Sequence, residues 1–336
     1  MSNPVLIEVT RGDHVESRHR GAIAIIDADG GVALSIGDVE APVFPRSSVK
    51  ALQALPLIES GAADRFGLAE AELALACSSH SGEGQHVRVA RGMLEKCGRD
   101  SSALECGAQW PAGAAASRAL GAGPPTALHN NCSGKHAGFV CVACQLGVDP
   151  AGYVRPDHDV QREVAGALGE MTRTKLDVSN RGIDGCAIPT YAIPLSALAG
   201  AFARFGTGIG LAPQRAAAAR RLRAAVAAQP FFVAGTDRFD TRAMEVLGVR
   251  AFVKGGAEGV QCAAFPELGL GVAIKCDDGA GRAAETLMAA VIQRFVPLSE
   301  IERAALKAQF NRILTNWNGD PVGEMRVSEA LGRSPR

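Results

Sequence analysis

The sequence has no surplus of charge. Lysine plus arginine and aspartate plus glutamate stand at 35 each. That balance attracts no polyanion, so nucleic acid and anionic membrane surfaces are not expected as partners. Aromatic residues make up only 5% of the chain, too few for a base-stacking face. An uninterrupted apolar run of about 18 residues, the length of a membrane span, is also missing. The opening MSNPVLIEVTRGD has no basic stretch followed by a long apolar one. It does not read as a signal peptide, and a cytoplasmic location is expected. The nine cysteines are odd in number and scattered. They read as reduced thiols, suited to metal or catalysis rather than to a disulfide frame.

What is present is a substantial core, with hydrophobic residues at 47% of 336. Residues 5–10 alternate as a strand. Residues 21–38 give two apolar runs around Asp29, Gly30 and Gly31, a hairpin signal. Residues 47–60 have helical spacing, with Pro56 expected to bend or split the helix. AELALACSS (71–79) reads as a short buried strand. Helices are expected at 85–96, 133–146, 159–171, 194–205, 213–228 and 283–296. A strand is expected at 250–256 and a hairpin at 259–276, followed by a polar tail. Strands at both ends and a helical middle predict an α/β (α+β) fold, a mainly antiparallel sheet flanked by helices. Strands from the two ends sharing one sheet would make 1–336 a single domain with an inserted helical lobe.

Two stretches share one spacing. Ser47 lies three residues before Lys50, and Cys132 three before Lys135. On a helix, such pairs face the same way. A lysine desolvated enough to lose its proton can serve a serine hydroxyl as base. Serine is also a common N-cap, so the first pair alone says little. Lys254 adds weight: it ends an expected strand and precedes Gly255 and Gly256, where a substrate could approach the backbone. An early S-x-x-K and a late K-x-G follow the order found in penicillin-recognising enzymes. Ser78 and Ser79 close the 71–79 segment, either in an active-site loop or in a plain polar turn.

Cys132, Lys135 and His136 can share a helix face, and the Gly-rich GIDGCAIPTY (182–191) supplies Asp184 and Cys186. Thiolate and nitrogen donors suit four-coordinate zinc. The spacing matches no standard finger, and buried structural cysteine is the plain alternative. Cys141 and Cys144 form a C-x-x-C inside an apolar helix and read as core. GTGIG (206–210) reads as a turn, not a dinucleotide loop. His14, His19, His86 and His158 read as surface residues.

FPRSSVKALQALPLIESGAADRFGL, ACSSHSGE, HNNCSGKHAGF and GIDGCAIPTYAIPL together resemble the rhizobial-type L-asparaginase family, in order and over most of the chain. The resemblance implies a serine β-lactamase/glutaminase-like fold and hydrolysis of L-asparagine to L-aspartate and ammonia. It implies Ser–Lys pairs falling on Ser47 with Lys50 and on Ser79 with Lys254; Lys275 is the other lysine on a late strand. It implies zinc on Cys132, Lys135 and Cys186, with Asp184, His136 and Arg46 beside the substrate, and a homodimer. The rival functions are another serine amidohydrolase on that fold, a glutaminase or penicillin-recognising enzyme, and a zinc-dependent amino-acid-binding protein.

Overall fold

In the computed structural model, residues 2–332 are described. They fall into two compact units. The first comprises residues 2–48, 193–207 and 253–332; the second comprises 49–192 and 208–252.

The first unit is built on an eight-stranded sheet. Its order is Arg312–Thr315, Pro321–Val327, Val5–Arg11, His14–Asp27, Leu270–Cys276, Val260–Phe265, Phe252–Gly256, with Val32–Ile36 also on His14–Asp27. Val5–Arg11 pairs antiparallel with Pro321–Val327, so the two ends of the chain do share the sheet. The 14-residue strand His14–Asp27 changes partner half-way. Residues 14–20 pair with Val5–Arg11, and 21–27 pair with Leu270–Cys276. Its second half, GAIAIID, is buried without alternation from Gly21 to Ile26, so both faces are covered. The helices Leu195–Thr207 and Gly281–Phe295 pack on Leu270–Cys276. Burying each large aliphatic side chain here contributes about 1.5–3 kcal/mol.

The C-terminal segment corrects the expectation of a polar tail. It contains two strands, Arg312–Thr315 and Pro321–Val327. Both are largely half-exposed, so their sequence carries little apolar signal. The end of the expected tail lies outside the described residues.

The second unit is helical. The Ser133–Leu146 helix is buried continuously from Ser133 to Ala143. Its run AGFVCVAC has no polar face, as befits a central helix. Gly84–Lys96, Glu70–Ala76 and Asp159–Thr172 pack on it. Glu70–Ala76 replaces the strand expected at 71–79. A short apolar run looks alike in either state. Here alanine and leucine favour the helix, and Glu72 accepts the Ala69 N–H at 2.6 Å to close its first turn. Among the described residues no helix is long and apolar enough to cross a membrane.

His19 and His86, expected at the surface, are buried. His86 stacks on His80 with ring centres 4.9 Å apart and on Phe231 at 4.5 Å. Pro56 does split its segment, into Lys50–Gln53 and Leu55–Glu59 behind a 3-10 turn at Arg46–Val49.

Candidate active site

The second unit gathers seven of the ten expected site residues: Lys50, Ser79, Cys132, Lys135, His136, Asp184 and Cys186. Ser47, Arg46 and Lys254 belong to the first unit.

Lys50 heads its short helix and is fully buried. Its Nζ donates to Ser79 Oγ at 3.0 Å, to the Ser78 carbonyl at 2.6 Å and to Asn131 Oδ1 at 3.3 Å. Ser79 leaves the Glu70–Ala76 helix on a loop held from outside, its N–H bonded to the Val233 carbonyl at 2.8 Å. The next residue, His80, fastens that loop. Its Nδ1 accepts the Gly82 N–H at 3.1 Å, so Nε2 carries the proton and donates to Ser133 Oγ at 2.8 Å. Ser133 in turn donates to the Leu128 carbonyl at 3.0 Å. Burial, then the neighbouring His86, Lys50 and His129, hold the His80 pKa well below its ordinary value, so the ring is neutral. Sequence reasoning passed over His80, Asn131 and Gln109. Gln109 Oε1 accepts both the N–H and the side-chain amide of Asn131, at 3.1 and 2.9 Å.

The first turn of the Ser133–Leu146 helix carries the sulfur and nitrogen donors. Gly134 makes its position possible: a Cβ there would lie 2.4 Å from the Leu75 carbonyl oxygen. That close approach brings Lys135, 2% exposed, inside the unit. Its Nζ lies 3.1 Å from Cys186 Sγ. Cys186 and Asp184 stand on the turn of a hairpin, Arg181–Ile183 paired with Pro189–Tyr191. Ala187, just after Cys186, takes the left-handed φ of 73° that this tight turn requires. Cys186 Sγ also lies 3.5 Å from Asp184 Oδ2.

Charge in this cluster is unequal. A hydrogen bond from Cys186, with Lys50 and Lys135 nearby, overcomes burial and holds the Cys132 pKa far below the thiol range. Cys186, donating to that thiolate and buried, is pushed up. Burial works against the Lys135 charge, but the Cys186 and Cys132 sulfurs outweigh it and raise its pKa. One thiolate, one thiol and one ammonium converge.

His136 is buried against Tyr153. The Tyr153 hydroxyl accepts the Glu105 N–H at 2.9 Å and therefore donates to His136 Nδ1 at 2.6 Å. The proton is left on Nε2, which is buried without a hydrogen-bond partner among the described residues. Burial, then Lys135 and Lys50, hold this ring neutral.

The two sulfurs suit zinc, and Lys135 could join them only by giving up the proton that its neighbours hold on it. No group of three or more His, Cys, Asp or Glu residues able to hold a metal occurs among the described residues. This set has two such residues and completes itself with a lysine.

In the first unit, Arg46 has a left-handed φ of 52° and lies 3.9 Å from Glu258. Gly256, on the strand that carries Lys254, passes the turn holding Ser47. A Cβ at Gly256 would lie 2.6 Å from the Pro45 carbonyl oxygen and 3.4 Å from the Ser47 nitrogen. The Lys254 Nζ donates to the Gly255 carbonyl at 2.7 Å, and the side chain is buried. Lys275 differs: it is half-buried and donates to the Glu258 and Cys276 carbonyls.

A search of curated proteins finds no match. Among solved structures, a β-lactamase from Mycobacterium bovis is similar at 16% identity, with 86% of this chain and 94% of that one covered and a TM-score of 0.40. Mglu in its native form is similar at 15% identity, with 89% and 69% covered and a TM-score of 0.39. Both likenesses are too distant to say more about this chain. The family profile is decisive: residues 7–327 match that of L-asparaginase II, so the chain belongs to that family and is an amidohydrolase of the L-asparaginase type.

Proposed function

We propose that the protein hydrolyses L-asparagine to L-aspartate and ammonia by serine–lysine catalysis. The observation that supports this reading is the buried Lys50 amine 3.0 Å from the Ser79 hydroxyl, surrounded by oxygens of which none is a carboxylate. In this mechanism Ser47 Oγ attacks the side-chain amide carbon, and Lys50 takes the hydroxyl proton. Ser79, bonded to Lys50, passes a proton to the departing nitrogen as the carbon–nitrogen bond breaks. Ammonia leaves and an aspartyl ester remains on Ser47. Ser79 and Lys254 then activate the water that releases aspartate and restores the serine.

Backbone N–H groups that stabilise the oxyanion would each be worth roughly 10²–10³ in rate. Asp184 would hold the substrate's α-amino group. Arg46 and the His136 Nε2–H would take its α-carboxylate.

Cys132, Lys135 and Cys186 would hold zinc. When bound, the metal supplies fixed positive charge that orients the substrate's amino-acid end. The nucleophile remains serine. The homodimer implied by the resemblance is an expectation that sedimentation would check.

The Lys50–Ser79 contact also favours a second reading, in which Ser79 is acylated and Lys50 is its base. Rapid quenching with L-asparagine followed by peptide mapping separates the two. An aspartyl adduct on Ser47 supports the first reading and one on Ser79 the second. Ammonia release that persists in both Ser47→Ala and Ser79→Ala would end the serine mechanism.

A further inference from the structure

A second sulfur cluster lies at the other end of the Ser133–Leu146 helix. Cys97 caps the Gly84–Lys96 helix at its C-terminal end, and the two helices pack together. Its sulfur is within hydrogen-bond reach of Cys141 and Cys144. Arg99 reaches Cys144 in the same way. Cys97 donates to the Leu94 carbonyl at 3.2 Å, and Cys141 to the Met93 carbonyl at 3.6 Å. Cys141 is completely buried, whereas Cys97 and Cys144 are half-exposed and none of the three is in a disulfide. The exposure of Cys144 corrects the reading of the C-x-x-C as core. Gly98 and Arg99, next to Cys97, line a surface cavity of about 520 Å³ together with Asp149 and Pro150.

We propose that Cys97 and Cys144 form a redox pair that reacts with hydroperoxides, Cys97 being the attacking sulfur and Cys144 the resolving one. Neither residue touches the asparaginase machinery described above.

Three features carry this. The first is proximity: Cys97 and Cys141 donate to the adjacent Leu94 and Met93 carbonyls, and Cys144 lies one helical turn beyond Cys141. The second is access, since of the three only Cys97 and Cys144 reach solvent, and the two residues after Cys97 line the cavity. The third is charge. Thiols that share hydrogen bonds do not ionise together, because the first thiolate is stabilised by the others' S–H groups. The Cys141 thiol, then Cys144 and the Arg99 guanidinium, bring the Cys97 pKa down to about 7 against burial. Cys141 and Cys144 are both held above their ordinary value. The helix C-terminus and the Leu94 carbonyl oppose a thiolate at Cys97; two thiol donors and the Arg99 charge outweigh them.

The chemistry balances. The Cys97 thiolate attacks the peroxide, and the O–O bond breaks. One oxygen stays on sulfur as a sulfenic acid, and the other leaves as water after taking a proton. Cys144 sulfur then attacks the sulfenic sulfur. The S–O bond breaks, a second water departs with the Cys144 proton, and a disulfide closes. Two thiols are oxidised and one hydrogen peroxide is reduced to two waters. Cys141 is the poorer resolving group because it is completely buried and meets neither solvent nor the water that must depart.

The test is mild oxidation of the intact protein with hydrogen peroxide at pH 7, followed by non-reducing peptide mapping. A Cys97–Cys144 cross-linked peptide should form first. In the reduced protein, Cys97 should alkylate roughly tenfold faster than Cys144. In Cys144→Ser, dimedone should label Cys97 as sulfenic acid. Cys97→Ser should give neither cross-link nor label on Cys144, with basal ammonia release unchanged. Oxidation of Cys132 or Cys186 before Cys97 would overturn the proposal. So would a first disulfide to Cys141, or equal alkylation of Cys97 and Cys144. The unmodified protein alone decides among these outcomes, whatever the variants do.

Discussion

The Ser133–Leu146 helix has sulfur near each end, and the two ends are built for different chemistry. At its first turn, Cys132 and Lys135 are buried, and the cation beside the thiolate is a lysine enclosed with it. At its last turn, Cys144 is half-exposed, and the cation is an exposed arginine in water. A buried thiolate beside a buried lysine cation has no solvent to turn to, so the two charges satisfy each other. A half-exposed thiol beside arginine exchanges protons with solvent and meets small oxidants. The helix dipole adds to this: its positive end faces the Cys132 thiolate, and its negative end faces Cys144.

The largest effect that would break the comparison comes from the first end. Lys50→Met should lower ammonia release from asparagine by about 10²–10⁴-fold, the usual worth of a general base. Circular dichroism should be unchanged. Activity above a tenth of normal would remove Lys50 from the mechanism.

Gly134→Ala should come next. Its Cβ would meet the Leu75 backbone at 2.4 Å, an overpacking that costs about 1–3 kcal/mol. Urea denaturation would read it as a lower midpoint, and retention of the zinc proposed above should fall with it. An unaltered midpoint would mean that the first turn has room to shift.

The acid limb of stability also belongs to the first end. His80, His86 and His136 have pKa values held below the ordinary 6.5, chiefly by burial. The unfolded chain therefore binds protons more readily than the folded one. The stability they contribute is complete above about pH 6.5 and is lost as pH falls through that value towards their folded ones. The melting temperature should be level above neutrality and decline between about pH 6.5 and 5. His80→Gln should flatten the decline; an equally steep curve would place the protons elsewhere.

The smallest effect should come from the last turn. Cys144→Ser, at a half-exposed position, should change stability by no more than about 0.5 kcal/mol. A loss several times greater would show that the second cluster is structural rather than reactive.

Much of this was legible in sequence. The hairpins at 21–38 and 259–276 announced themselves through apolar runs broken by turn residues, and the sheet joined the two ends as expected. The Ser133–Leu146 helix was found to the residue. Glu70–Ala76 was misread because so short a run, with apolar leucine and alanine alternating after Glu72, has no period long enough to separate helix from strand. The C-terminal strands were missed because they are half-exposed and polar. His86 was placed at the surface because its sequence neighbours are polar; its burial comes from Phe231, 145 positions away.

The candidate site divides in the same way. Residue types at fixed spacing named Ser47, Lys50, Cys132, Lys135, Asp184 and Cys186, since a short helix or hairpin turn fixes how such neighbours face. Spacing said nothing of Lys50 reaching Ser79, of Tyr153 setting the His136 tautomer, or of Cys97 meeting Cys144. The sequence by itself determined the chemistry available and the elements that carry it, because those follow from local backbone geometry and side-chain type. Only the tertiary structure decided which groups are buried together. That depends on contacts between distant segments, and burial in turn fixes which sulfur is a thiolate and which histidine stays neutral.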